Sequence, residues 1–352
     1  MEELYFAAAN SGDGFVSYYD QIFATSAFSR LYLLKGGPGT GKSTLLRRAA
    51  AKAEEIGIRV RRYACSSDPF SLDGIILLEP RIAMLDATAP HSRDTEVPGA
   101  VDELIDLGSF WRSSELAAAR AEIEELQKRK QDAYANAYHW LGGAQCCARN
   151  TLHMLERCLD RDKLVRAVRR YLSGLAREAG QETPALIDSF GMHGRFCLPT
   201  MHRNAERAYI LTNTRGGADL FLREIRQACR ELGINTVFSP TYLDQTQTNG
   251  VLIPQNGTAF LDEACADAKR DCDKYVNMER FWRTDMLRVF RRELRQSDHS
   301  RQALLESAEL AFARAREAHF ALERIYAGAM DYAALEQYTT ELLTGIFADI
   351  GR

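Results

Sequence analysis

Nowhere does this chain hold an apolar run near the ~20 residues that a membrane-spanning helix requires, so a membrane protein is not expected. It also lacks an excess of basic charge. The 45 Lys and Arg against 48 Asp and Glu leave a formal net charge of -3, and nucleic acid is not expected as a partner. Metal-binding cysteine patterns are missing as well. The eight cysteines (Cys65, Cys146, Cys147, Cys158, Cys197, Cys229, Cys265, Cys272) are scattered, with no Cys-x-x-Cys and no histidine spacing that closes a zinc site. Reduced, mostly buried thiols are expected. The start, Met1-Glu2-Glu3-Leu4, is acidic and without the basic opening of a secretion signal, which points to a cytoplasmic protein. What is present is ordinary for a globular protein, 46% hydrophobic and 26% charged residues. At 352 residues the chain exceeds what one hydrophobic core usually serves, so two domains are expected.

One stretch dominates the reading. Gly36-Gly37-Pro38-Gly39-Thr40-Gly41-Lys42-Ser43-Thr44 is a full Gly-x-x-x-x-Gly-Lys-Ser loop, entered from apolar Leu31-Tyr32-Leu33-Leu34 and left through the helical Leu45-Leu46-Arg47-Arg48-Ala49-Ala50-Ala51. The glycines let backbone N–H groups turn inward on phosphates, and the helix that starts near Lys42 adds the positive end of its dipole. Lys42 is expected to reach the β- and γ-phosphates of ATP, and Ser43 to ligate Mg²⁺.

Further along, Arg59 to Cys65 alternates as a strand and Ile82-Ala83-Met84-Leu85 forms another that presents Asp86 at its carboxyl end, a second candidate for the Mg²⁺ shell. Strands alternating with helices predict a mostly parallel, doubly wound sheet with its ligand at the strands' carboxyl ends.

Sliding the sequence along itself by 176 positions brings Leu45-Leu46-Arg47 onto Phe221-Leu222-Arg223, Ile56-Gly57-Ile58 onto Leu232-Gly233-Ile234, Asp73-Gly74 onto Asn249-Gly250 and Leu85-Asp86 onto Leu261-Asp262. One more residue of shift aligns Leu31-Tyr32-Leu33-Leu34 with Ala208-Tyr209-Ile210-Leu211. This is a duplication signal. In the second copy Gly217 keeps the place of Gly41, but Ala218 replaces Lys42 and Asp219 replaces Ser43. That copy is therefore expected to have lost nucleotide binding, since its carboxylate stands where a triphosphate would lie.

Each copy is followed by a helical stretch. Leu116, Ala119, Ile123, Leu126, Ala133, Ala137, Trp140 and Ala144 keep a 3-4 spacing that only Lys130 interrupts, and Leu305, Ala308, Phe312, Ala315, Leu322 and Ile325 repeat the pattern near the end. The chain thus divides into 1–112, a P-loop core; 113–183, helical; 184–262, a degenerate P-loop-like core; and 263–352, helical. The fold class expected is α/β, two tandem P-loop NTPase-like parallel-sheet cores, each followed by long helices. The halves would form a pseudo-dimer within one chain.

Four blocks resemble an uncharacterised bacterial family of tandem P-loop ATPases: the Gly36–Thr44 loop; Cys65-Ser66-Ser67-Asp68-Pro69 with Ser71-Leu72-Asp73-Gly74; Leu85-Asp86-Ala87-Thr88-Ala89-Pro90-His91; and Pro98-Gly99-Ala100-Val101-Asp102-Glu103. The resemblance spans essentially the whole chain and implies a nucleotide-binding protein of two homologous halves, without naming a substrate or protein partner. In that family the second half commonly carries its own P-loop, and this sequence departs there, at Ala218 and Asp219.

The function expected is a Mg²⁺-dependent ATPase or ATP-driven switch with one competent site; a small-molecule or nucleotide kinase and a non-hydrolytic ATP-binding protein are the alternatives. Ala87 occupies the place after Asp86 where many P-loop ATPases put a water-orienting Glu. Asp68 and Asp73, each expected in a loop, and His91 are the candidates to replace it, with Asp68 joining Lys42 and Asp86 as the catalytic set. A kinase would have Arg81 and Arg93 for an acceptor phosphate. Arg215, aligned with Gly39, is a candidate to deliver a cation to the first site, its plainer reading being a solvated surface residue.

Overall fold

The computed structural model describes residues 3–267 and 274–350. Its first half runs β1 (Glu3–Phe6), the hairpin β2 (Ala8–Ser11) and β3 (Gly14–Ser17), a one-turn α1 (Tyr19–Ile22), β4 (Arg30–Lys35), α2 (Lys42–Glu55), β5 (Val60–Ala64), β6 (Leu72–Leu77), β7 (Ile82–Asp86), β8 (Asp102–Asp106), α3 (Ser113–Ala118), α4 (Arg120–Cys158) and α5 (Arg161–Tyr171). The second half repeats that order as β9 (Glu182–Pro184), β10 (Asp188–Gly191), β11 (Gly194–Cys197), α6 (Thr200–Asn204), β12 (Arg207–Thr212), α7 (Ala218–Leu232), β13 (Thr236–Pro240), β14 (Thr248–Ile253), β15 (Thr258–Asp262), β16 (Lys274–Asn277), α8 (Thr284–Val289), α9 (Arg291–Gly328) and α10 (Tyr332–Ile350). The protein is α/β, with two similar sheets each followed by long helices.

The sheets correspond strand for strand. One six-stranded sheet has the order β1-β5-β6-β7-β4-β8 and the other β9-β13-β14-β15-β12-β16. Neither is wholly parallel. β6 runs antiparallel to both β5 and β7, and β14 does the same between β13 and β15, so the sheets are mixed. The expectation of parallel sheets is corrected here, and Asp73 moves with it: it lies inside β6, buried, and not in a loop. Every residue of β6, Leu72 to Leu77, is buried, so the strand has no alternation from which its direction could be read. Gly57 and Gly233, both with left-handed φ (83° and 70°), close α2 and α7.

The chain packs as two compact units that do not follow sequence order. One comprises Glu3–Ala8, Ser17–Ala135 and Ala311–Arg352; the other contains Ala9–Val16 and Asn136–Leu310. In the first, α10 covers the sheet's own helix. Leu335, Leu343 and Ile346 join Leu45, Leu46, Ala49, Ile75 and Met84 in one buried cluster. In the second, α5 takes the matching place, with Leu164 and Val168 beside Phe221, Ile225 and Phe260. Each sheet is therefore completed by the terminal helix of the opposite half of the sequence. The expected helix seam forms in part, with Trp140, one of its expected members, left 37% exposed. Within the first unit Ile123 and Leu126 of α4 pack on Leu322 of α9, and the rings of Tyr134 and Phe312 meet at 5.5 Å.

The cysteines depart from expectation in two ways: one pair is oxidised, and of the free thiols Cys146 is exposed and Cys65 and Cys147 only partly buried. Cys197 and Cys265 form a disulfide, with Cα atoms 5.5 Å apart. Cys65, Cys146, Cys147, Cys158 and Cys229 are free, and Cys272 lies outside the described residues.

Because Leu343 is only 4% exposed, Leu343→Ala is expected to lower stability by about 2–4 kcal/mol, the usual range for emptying a leucine site. Urea unfolding followed by tryptophan fluorescence checks this. A change under about 0.5 kcal/mol would show that α10 does not complete the first sheet's core.

Candidate functional site

Strand pairing sets the site. β4 and β7 are parallel neighbours with Leu34 opposite Asp86, so the loop leaving β4 and the carboxylate ending β7 emerge side by side. The Lys42 ammonium lies 3.5 Å from Asp86 Oδ2, with both side chains largely buried (11% and 15% exposed). Lys42 also donates to the carbonyls of Gly36 (2.5 Å) and Gly37 (2.8 Å). The other Asp86 oxygen accepts from the Thr88 amide and hydroxyl, at 2.9 and 2.5 Å. Burial pushes the Asp86 carboxyl above its usual range and nearby Asp73 adds to the rise, while Lys42 and Thr88 pull it back.

The loop's glycines have a geometric purpose. Gly36, Gly39 and Gly41 all have φ in the left-handed range, 144°, 72° and 85°. Gly41 is the N-cap of α2 and has no side-chain capping bond, so the first-turn N–H groups have no side-chain acceptor from the cap. A helix start of this kind, with a lysine beside it, fits an anion. Ser43, in the first turn, accepts from the Leu72 amide at 2.9 Å; its hydroxyl and Asp86 are oxygen ligands of the kind Mg²⁺ takes. Beside the same turn is a cavity of about 170 Å³ lined by Thr44, Arg48, Leu107, Tyr332, Leu335 and Glu336 among others.

The other predicted acids divide. Asp73 Oδ2 sits 3.3 Å from His91 Nε2, both side chains under a tenth exposed, and the His91 ring stacks on Tyr19 at 4.2 Å. The Asp73 charge reaches Asp86, Tyr19 and Cys65, and burial drives the Tyr19 hydroxyl and the Cys65 thiol well above their usual values. At Asp68 the carboxylate accepts from the Phe70 amide at 3.2 Å and the backbone carbonyl from the Ser71 amide at 2.9 Å, closing its own turn. Arg81 and Arg93 are both committed to structure. Arg81 donates to the Ala27 carbonyl, and Arg93 to the Phe23 carbonyl, Thr25 and Glu96.

Residues outside the expected set also face the loop. A Cβ on Gly39 would stand 2.8 Å from the Glu323 carbonyl, so α9 lies directly against the loop tip, and Tyr332 donates to the Gly39 carbonyl at 3.3 Å. One turn before Glu323 is His319, held down to about 4 by burial and then by Lys130, with Asp68 opposing and Lys42 adding. Burial and the Lys42 charge lower Lys130 likewise. The signal for Lys130 was its break in the apolar spacing. His319 fills the equivalent gap in α9, between Ala315 and Leu322.

In the second unit the matching loop is differently built. Asp219 Oδ1 accepts from the Thr248 amide at 2.8 Å, the bond that Ser43 makes with Leu72 in the first copy. A Cβ on Gly217 would meet Leu155 at 2.9 Å, so apolar side chains close in over the loop. Arg215, with φ 55°, forms an ion pair with Glu279. Asp188, buried beside the Cys197–Cys265 disulfide, accepts from both Arg195 nitrogens, Asn249 and the Tyr242 amide, leaving it no obvious vacancy for a cation. Among the described residues no helix is long and apolar enough to cross a membrane.

Comparison with protein-family models, curated proteins and solved structures returns no match.

His319 titrates near 6.5 in an unfolded chain and about 4 here. Between those values the unfolded chain takes up a proton that the folded one refuses, so this group makes stability fall as pH drops through that window. His319→Gln is expected to flatten the loss of thermal midpoint over that pH range relative to the parent protein. Parallel curves for the two proteins would remove His319 from the effect.

Proposed function

We propose that the chain binds one Mg²⁺–nucleoside triphosphate, ATP being the expected one, on the Gly36–Thr44 loop and acts as an ATPase or ATP-driven switch. The observation that carries this reading is the Lys42–Asp86 pair, 3.5 Å apart at the uncapped start of α2. Lys42 now satisfies its charge on Asp86 and on two carbonyls of its own loop. Phosphate oxygens are stronger partners for an ammonium than neutral carbonyls, so Lys42 would exchange the carbonyls for the β- and γ-oxygens. Ser43 and Asp86 would hold Mg²⁺, which neutralises charge on the phosphates when bound.

Asp73 and His91 form the acid–base pair whose charge reaches Asp86, and they stand in for the Glu that Ala87 displaces. They are assigned to orienting and deprotonating the attacking water. Asp68, bound into its own turn, is assigned a lesser part. The kinase alternative loses support because Arg81 and Arg93 are tied to backbone carbonyls and neighbouring side chains, which leaves neither for an acceptor phosphate. The second copy does not contribute a second site in this reading: Ala218 and Asp219 supply no cation, and Leu155 occupies the approach to Gly217.

Titration calorimetry with Mg²⁺–ATP is expected to give one site per chain, and Lys42→Ala to weaken it by at least ~100-fold, the equivalent of losing a buried charge-assisted contact. Two equivalent sites, or binding undiminished by that change, overturns the proposal.

Asp86→Asn is expected to weaken Mg²⁺-dependent binding more than binding measured in excess chelator. Equal losses under both conditions would make Asp86 structural.

A further inference from the structure

Two ionisable side chains sit where the helix seam calls for apolar ones. Lys130 lies one turn before Tyr134 on the stripe that also carries Ile123 and Leu126, and His319 lies on the stripe of Phe312, Ala315 and Leu322. The Lys130 charge acts on His319, so the seam at that level carries two neighbouring ionisable groups. The same stretch of α9 is the one pressed on the glycine-rich loop, through Glu323 and Ala327 at Gly39. Lys130 forms no hydrogen bond or ion pair with any described residue.

A lysine in an apolar seam costs stability unless something compensates it. The acids nearby are Asp68, Glu323 and Asp86. Asp86 is committed to Lys42 and Thr88, and Asp68 to its own turn. Glu323 is raised by its burial, and then by Asp68, which leaves it a poor counter-ion. Lys42 and Lys130 are close enough for their charges to act on one another. Two lysines whose charges act on one another, only Lys42 of them paired with a carboxylate, describe a place for a multiply charged anion.

We infer that α4 and α9 form the far wall of the nucleotide site, with Lys130 contacting the terminal phosphate of a bound nucleoside triphosphate and His319 positioning it. This rests on the nucleotide reading proposed above. Lys130 then supplies, from within the same compact unit, the cation that phosphoryl transfer often draws from a second subunit or domain, and Arg215 is not needed for it. Such a contact exists with a triphosphate and is missing with a diphosphate, so it makes α4 and α9 the elements that distinguish the two.

The test measures ATP and ADP affinities of the full chain by calorimetry for the parent protein, Lys130→Leu and Lys130→Arg, together with their nucleotide-free thermal midpoints. Lys130→Leu is expected to weaken ATP by about tenfold or more, as for a lost hydrogen bond to a charged group, to leave ADP within about twofold, and to keep or raise the nucleotide-free midpoint because leucine suits the seam. Lys130→Arg is expected to retain the preference for ATP. If the parent protein binds nucleotide and Lys130→Leu leaves the ATP-to-ADP ratio unchanged, the role of Lys130 is overturned while the nucleotide reading stands. A lowered midpoint with both affinities reduced alike makes Lys130 structural and overturns it too. A parent protein that binds neither nucleotide overturns both readings.

Discussion

The charge of Lys42 must be balanced, and much of the first unit is arranged around that need. With 11% of its side chain exposed, the ammonium has lost most of its water. It is satisfied by Asp86, which the β4–β7 pairing delivers, and by the carbonyls of Gly36, whose left-handed φ only glycine readily adopts, and Gly37. The arrangement is local and specific: a shift of β7 by one residue against β4 would turn Asp86 to the other face of the sheet and leave Lys42 without its counter-ion.

The second copy shows what happens when that charge is removed. With Ala218 in place of Lys42, the loop has lost the cation that would hold a phosphate, and apolar packing closes in on it. Asp219 takes over the bond that Ser43 makes to the neighbouring strand's amide, and it is buried with only 4% exposure. Arg223, standing where Arg47 stands in the first copy, lies 3.7 Å from it. Burial raises the Asp219 carboxyl and Arg223 opposes the rise, so the pair partly cancels inside the unit. The duplicated fold persists because its strand order and helix stops depend on apolar pattern and glycine, neither of which the loop chemistry touches.

Much of this was legible in the sequence. The Gly36–Thr44 loop, the strand ending at Asp86, the repeat and the helix seam all lie in short-range patterns, and each appears where the pattern put it. The direction of β6 was not legible, since a strand buried on both faces has no alternation from which to read its partners. The exchange of α5 and α10 between sheets was hidden for another reason: an amphipathic helix specifies that it must be covered, and either sheet offers an apolar face. The Cys197–Cys265 pair is 68 residues apart with no spacing motif, so only the meeting of β11 with the turn after β15 reveals it. Asp73 was assigned to a loop because Asp and Gly usually mark turns; here Gly74 admits the Phe23 ring, which would lie 2.7 Å from any Cβ placed there.

The polar interruptions of the seam carry more information than the seam itself. An apolar heptad position filled by Leu or Ala says only that two helices pack, whereas Lys130 and His319 accept a desolvation penalty that packing does not require. His319 lies one turn before the part of α9 that faces the glycine-rich loop, and the loop tip leaves no slack there, with the Glu323 carbonyl against Gly39 and the Tyr332 hydroxyl on its carbonyl. Any movement of Lys42 off the Gly36 and Gly37 carbonyls must therefore be accommodated by the loop backbone next to α9 and the start of α10. Under the proposed reading, this tight contact is the physical route by which occupancy of the loop is felt in the long helices. It needs no hinge, only a loop and a helix packed too closely to move independently.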